Sequence, residues 1–352
     1  MRLSLGGRAV RIRLSNEMGA GPLVIGAAHI AHPGQAPGSI DPATDHVLTF
    51  GGRASVTLPA GAPALSDPVV LDAKALDRLS ISLFVPRAIG VSATHPLGRA
   101  TAYGSWGDQT AAATLTNAIA SNAALFISSV EVDAPDAGTV VALGDSITDG
   151  YCSTPNANRS WPDVLSERLV DAHLPLAVVN AGIGGNRILH DLPEAQFGPA
   201  AVARFDRDVL SVPGVVSVIL MESINDIGHP GSVDLPEQSV TAEDIIVGMR
   251  QIADRAREHG LRVFGATLTP YADTVYPDFY TKEGEVKRQA VNRWIRESGV
   301  LDGVIDFDAV VRDPARPDHI AAAYDCGDHL HPNDAGYRKM GEAIDLWLLS
   351  KK

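Results

Sequence analysis

The sequence predicts an α/β protein: a parallel sheet covered by helices on both faces, preceded by a β-rich region. Three observations carry that prediction. From about residue 138 onward, apolar runs alternate with helical patterns, and strand–helix alternation is the mark of a parallel sheet packed on both faces. Residues 1–137 instead hold short apolar or alternating runs punctuated by Gly, Pro, Asn and Asp, which reads as a sandwich or jelly-roll-like domain. Polar clusters follow the predicted strands of the second half, and the carboxyl ends of parallel strands are where such sheets bind ligands. The predicted division is therefore 1–137 as a β-rich accessory domain and 138–352 as the chemical domain.

In the first half the predicted strands are "VRIRLSN", "PLVIGAAHIA", "HVLTFGG", "ASVTLPA", "LSISLFVP" and "ALFISSVEV". In the first of them Val10, Ile12 and Leu14 face one way, and Arg11, Arg13 and Ser15 the other. "EVDAPDAGT" reads as the linker. Next come "TVVALGDS" and the helical "WPDVLSERLVDAH", then "LAVVNAG" and a polar loop, then "VVSVILMES" and "TAEDIIVGMRQIADRAREHG". "LRVFGATLTP", "EVKRQAVNRWIRES" and "GVIDFDAV" complete the alternation. The helix after Thr241 is the best marked. Thr241 caps it with Asp244 three residues on, Gly260 follows its last turn, and Ile245, Ile246, Met249, Ile252 and Ala256 form its apolar stripe.

The composition, 45% hydrophobic and 20% charged over 352 residues, is that of a globular protein with a sizeable core. No run of about 18 apolar residues occurs, which predicts no membrane span. A net charge of −13 argues against nucleic acid as a partner. The first residues lack an apolar h-region and a small-residue cleavage site. That reading predicts either a cytoplasmic protein or an exported one whose leader lies outside this sequence, and two cysteines do not decide the compartment. Composition allows a homo-oligomer without indicating one.

Four clusters are expected at the sheet's carboxyl edge: Gly144-Asp145-Ser146; Asn180 to Asn186, with Gly182, Gly184 and Gly185; Glu222-Ser223-Ile224-Asn225-Asp226; and Asp328-His329-Leu330-His331. Alone, each has a plain reading as a turn, a flexible loop, an Asx turn or a cap. Together they supply a nucleophile, a base and its orienting acid. A serine hydroxyl attacks an ester only with a base in hydrogen-bond reach, itself held by a third group. His331 and Asp328 fit those parts. The N–H of Ser146, the N–H of Gly185 and the Asn225 amide are candidate oxyanion donors, and one such donor is worth about 2.7–4 kcal/mol.

"GDSITDG", "NAGIGGN", "SIND" and "DHLH", in that order, resemble the four blocks of the GDSL, or SGNH, hydrolases, over about 138–350; "RSWPDVLSERL" and "HPNDAGYRKM" also fit. The resemblance implies a flavodoxin-like three-layer α/β/α domain and a serine esterase needing neither metal nor cofactor. It implies a Ser146–His331–Asp328 triad and an oxyanion hole of Ser146, Gly185 and Asn225. It also implies hydrolysis of short-chain carboxylic esters through an acyl-enzyme, or else O-deacetylation of sugar and polysaccharide acetates. Activity should then fall on acidification near an ordinary histidine pKa of about 6.5. Ile147 stands where the family has leucine, and Ser223 where many members have glycine. The β-rich half resembles the added β-domain of larger bacterial members, either a glycan-binding module or a structural cap.

Other residues have two readings each. Arg187 and Ser223 are candidate substrate-pocket residues, with a surface ion pair the alternative for Arg187. Trp161 lines the pocket or fills the core, Thr148 and Asp149 brace the turn after Ser146, and His329 packs or bonds within its loop. "YADTVYPDFYTKEG" forms an aromatic wall or packs on its own domain. Cys152 and Cys326 flank the triad blocks, so an assembled triad places them for a disulfide that pins the two loops; two free thiols are the alternative. A dinucleotide site fails because its third glycine would fall at Arg187. A metal site around Asp328, His329, His331 and Asp334 lacks a second ligand cluster in the sequence.

Overall fold

Valine, isoleucine and leucine in runs without alternation demand burial on both faces, and the second half of the chain provides it. In the computed structural model, which describes all residues except 91–93, 97, 192–194, 234–235 and 351–352, five strands form one parallel sheet. Their order is Leu176–Gly182, Gly138–Gly144, Val215–Met221, Arg262–Ala266 and Gly303–Ile305. Numbered along the chain this is 2-1-3-4-5, the flavodoxin-like order. Side chains alternate strictly. Val141, Leu143, Val218 and Leu220 join one core with the helices Ala242–Glu258 and Lys282–Glu297. Val140, Ala142, Ile219 and Met221 join another with Trp161–Asp171 and Asp334–Ala343. The result is three layers.

Contacts divide the chain into two compact units, Met1–Asp136 and Ala137–Lys352. The first consists of antiparallel sheets. Its longest strand, Gly7–Ser15, pairs with Ile127–Val132, Pro63–Leu65 and Val69–Ala73; a second sheet joins His46–Val47, Ala27–Ala31 and Ser80–Phe84. Val10, Ile12 and Leu14 from the first sheet and Ala28 and Ile30 from the second share one core.

Several predicted runs are subdivided. "PLVIGAAHIA" becomes Leu23–Ile25 and Ala27–Ala31, and "ALFISSVEV" breaks at Phe126, whose φ is 63°. "GVIDFDAV" is a three-residue strand and then a helix, Phe307–Val311, because the Asp306 carboxylate caps that helix by accepting from the Ala309 N–H. The polar loop after Gly182 contains a short helix, Ala201–Phe205, continued by a π turn, Asp206–Leu210; five residues are too few for a helical period to show. The Thr241 capping box and the buried stripe of its helix form as expected.

Candidate active site

Ser146 follows the central strand directly. The Asp145 carboxylate accepts from the Ile147 N–H at 2.9 Å and starts the short helix Ser146–Asp149. The strand exit is so tight that a Cβ on Gly144 would collide with Thr148 Oγ1 and the Met221 carbonyl. Ser146 Oγ lies 2.8 Å from His331 Nε2, and His331 Nδ1 lies 2.6 Å from Asp328 Oδ2. The other Asp328 oxygen accepts the backbone N–H groups of Leu330 and His331 at 3.0 and 2.8 Å. Burial pushes the Asp328 carboxyl up, but the hydrogen bond and charge of His331, with those two N–H groups, outweigh it and hold the pKa down to about 2. The carboxylate is therefore ionised and its hydrogen bonds fix the imidazole. Ser146 and His331 are only 7% and 4% exposed, so the hydroxyl–imidazole bond is shielded from competing water.

The other two blocks converge on the same strand ends. Gly185 has φ +75°, and a Cβ there would run into the Phe197 ring, so only glycine fits. Ser146, first in its helix, has no carbonyl one turn earlier to bond, and among the described residues the Gly185 N–H donates to no backbone carbonyl. One Asn225 amide hydrogen goes to the Asn186 carbonyl at 2.9 Å, which leaves the second to donate elsewhere. Asp226 receives the N–H groups of Ile188 and Leu189 at 2.7 and 3.1 Å, tying the loop behind Gly185 to the "SIND" helix.

Arg204, Tyr151 and the contacts that the "YADTVYPDFYTKEG" segment makes with Asp328 escaped the sequence reading. Arg204, 1% exposed, donates to the Gly144 carbonyl, the Ala181 carbonyl and Asn186 Oδ1 at 2.9, 2.7 and 2.9 Å, so one guanidinium joins two of the converging segments through three acceptors. Its signal is weak: an arginine in the apolar stretch "AVARF". Tyr276 OH donates to Asp328 Oδ2 at 3.4 Å, and Thr274 Oγ1 and the Val275 N–H donate to the Asp328 carbonyl at 3.0 and 3.1 Å. The "YADTVYPDFYTKEG" segment thus leans on Asp328. Tyr151 and Tyr276 flank the His331 ring, with centroids 4.6 and 6.2 Å away.

The two candidate pocket residues, Arg187 and Ser223, are both buried. Arg187 is fully buried; its guanidinium donates to Gln238 Oε1 and the Gln238 carbonyl at 2.8 and 2.9 Å and faces Asp226 at 3.7 Å, so packing and charge pairing draw it inward. Ser223 is fully buried, and among the described residues its hydroxyl has no hydrogen-bond partner. Trp161 fills the core beside Phe307. His329 is bonded to Asp325 within its own loop. Cys152 and Cys326 are joined as a disulfide with Cα atoms 6.2 Å apart, and Cys152 Sγ lies 4.0 Å from Asp328 Oδ2. Beneath the site, burial drives up the pKa values of Asp145 (to about 7), Asp226 (to about 6) and Glu222.

The arrangement can pass a proton from the Ser146 hydroxyl to an imidazole held by an ionised acid, beside donors for a developing oxyanion. Residues 142–339 match the model of the GDSL-like Lipase/Acylhydrolase family. No curated protein matches the chain. Among solved structures the chain is similar to an aryl esterase from M. smegmatis, at 17% identity and TM-score 0.48, covering 61% of this chain and 99% of that one. It is also similar to Est24, a carbohydrate acetylesterase from Sinorhizobium meliloti, at 18% identity and TM-score 0.45, with 59% and 96% covered. A third, the acetyl xylan esterase AlAXEase, is 19% identical with TM-score 0.44, and 60% and 100% are covered.

Proposed function

The chain belongs to the GDSL-like lipase/acylhydrolase family, a family of carboxylic ester hydrolases, and from that premise we propose that it hydrolyses short-chain carboxylic esters through an acyl-enzyme on Ser146. The observation that carries the reading is the unbroken chain of contacts from Ser146 Oγ to His331 Nε2, 2.8 Å, and from His331 Nδ1 to Asp328 Oδ2, 2.6 Å. His331 takes the hydroxyl proton as Ser146 attacks the ester carbonyl. Asp328 holds the ring and stabilises its cation. The N–H groups of Ser146 and Gly185 and the Asn225 amide receive the oxyanion. His331 then gives its proton to the leaving alcohol, and afterwards activates the water that releases the acid. The preference for short acyl groups rests on what the family resemblance implies.

Ser146→Ala, assayed on aryl esters of rising acyl length, should lose about 10⁴-fold or more in kcat, as expected when a triad member is removed. Wild-type turnover in the variant would rule out Ser146 as the nucleophile. The same panel should include acetylated xylan and simple sugar acetates. Turnover of those above the aryl esters would move the reading to a carbohydrate O-deacetylase using the same triad.

A further inference from the structure

We propose that reducing the Cys152–Cys326 bond turns the edge of the triad into a binding site for a thiophilic divalent cation, Zn²⁺ in the first instance, and that the bound ion silences the esterase. The inhibitory part rests on the triad reading above. Two ligand groups overlap there. Potential ligand atoms of Cys152, Asp328 and His331 all lie within 4.8 Å of one another, and so do those of Asp325, Cys326 and Asp328. Asp328 is common to both and the two sulfurs are bonded to each other, so Cys152, Asp328 and His331 offer three ligands together and the Cys326 sulfur stands beside them as a fourth. Two thiolates with an imidazole and a carboxylate suit tetrahedral zinc, with Zn–S about 2.3 Å and Zn–N about 2.0–2.1 Å. Sulfur atoms sharing such an ion stand about 3.8 Å apart, a span that cysteines with Cα atoms 6.2 Å apart reach without loop movement. Cys152, Cys326 and Asp328 are all partly exposed, which gives a reductant and an ion a way in.

The chemistry balances. A dithiol reductant supplies two electrons and two protons: the Cys152–Cys326 bond breaks, two thiols form, and the reductant closes its own disulfide. Metal binding then releases the two thiol protons. The imidazole ligand is Nδ1, the atom now bonded to Asp328. A metal on Nδ1 places the ring proton on Nε2, the atom 2.8 Å from Ser146 Oγ. Nε2 becomes a donor and no longer takes the hydroxyl proton. The disulfide therefore does more than join two loops: while it is closed, both sulfurs are withheld from metals next to the catalytic base.

The test uses the full chain purified without reductant, then reduced with a dithiol that is removed under nitrogen. Co²⁺ is the spectroscopic probe and Zn²⁺ the inhibitor. The reduced protein should bind one Co²⁺ with a thiolate-to-cobalt charge-transfer band, and Zn²⁺ should displace it. With zinc, ester turnover should fall about a thousandfold or more, the range for a triad whose acid no longer orients its histidine, and a chelator should restore it. The oxidised protein and the reduced Cys152→Ser/Cys326→Ser variant should show neither effect. Absence of the band in reduced protein, or its persistence in the double variant, overturns the site. A full band with undiminished turnover overturns the inhibition. Ser146→Ala should keep the band, so the metal site is decided even if the esterase reading fails.

Discussion

Ser223 holds its backbone at φ 107°, a conformation that a residue with a Cβ rarely adopts. Its side chain is fully buried and its hydroxyl has no partner among the described residues. Ser223→Gly relieves the strain and the orphaned hydroxyl, and loses only the greater unfolded freedom of glycine. The balance predicts a gain of about 1 kcal/mol, read as a higher urea midpoint at unchanged m. A lower midpoint would mean that the hydroxyl has a role in the fold. Tyr276 is the second residue with a consequence of its own. Its hydroxyl shares Asp328 Oδ2 with His331 Nδ1, at 3.4 Å against 2.6 Å. Tyr276→Phe should lower kcat/KM only about two- to fivefold, the yield of a long hydrogen bond worth no more than about 1 kcal/mol. Tyr276→Ala should cost more, because the ring that flanks His331 goes as well.

At the scale of elements, the site is a meeting of strand ends, and Arg204 is the side chain that binds them. Arg204→Met leaves the Gly144 and Ala181 carbonyls and Asn186 Oδ1 without their donors. The expected cost is about 3 kcal/mol, with kcat falling more than KM rises, since the loop carrying Gly185 and Asn186 loses its anchor. Arg204→Lys should not rescue it, because an ammonium cannot span three fixed acceptors. Thermal unfolding and steady-state kinetics on both variants check this. The elements themselves were largely legible in the sequence. Strand–helix alternation predicted the parallel sheet, and Thr241 with Asp244 marked a helix start that the structure reproduces as a capping box. The short helix Ala201–Phe205, which carries Arg204, was not legible: one turn has no period, and packing against neighbours makes it.

For the molecule as a whole, stability should depend on pH with a definite sign. Burial first of all raises Asp145 from 3.8 to about 7 and Asp226 to about 6, and pushes Glu222 upward. These folded-state acids keep protons that the unfolded chain releases above about pH 4. The folded state therefore binds more protons there, and stability falls as pH rises from about 4 through 7. Asp328 acts oppositely. Held at about 2, its contribution is present above 3.8 and is lost as pH falls toward 2. Melting temperatures should peak on the acid side of neutrality and drop toward pH 8. Asp145→Asn, which can still cap Ile147, should flatten that drop. A wild-type melting temperature that is higher at pH 8 than at pH 5 would contradict the burial argument.

The sequence alone determined the sheet type, the four blocks and their order, because local periodicity, caps and glycine spacing are set by neighbours in the chain. Those blocks named Ser146, Gly185, Asn225, Asp328 and His331 as one group, and the fold does bring Ser146 and His331 together across 185 residues of chain. The tertiary structure decided what closes around them. It turned Arg187 inward, set Tyr276 against Asp328 and Arg204 across two segments, and placed the Cys152 sulfur beside Asp328. The physical reason is one of range. A contact between segments 50 or more residues apart, such as Tyr276 with Asp328 or Arg204 with Gly144, leaves no periodic trace in either segment and is selected only when the layers pack.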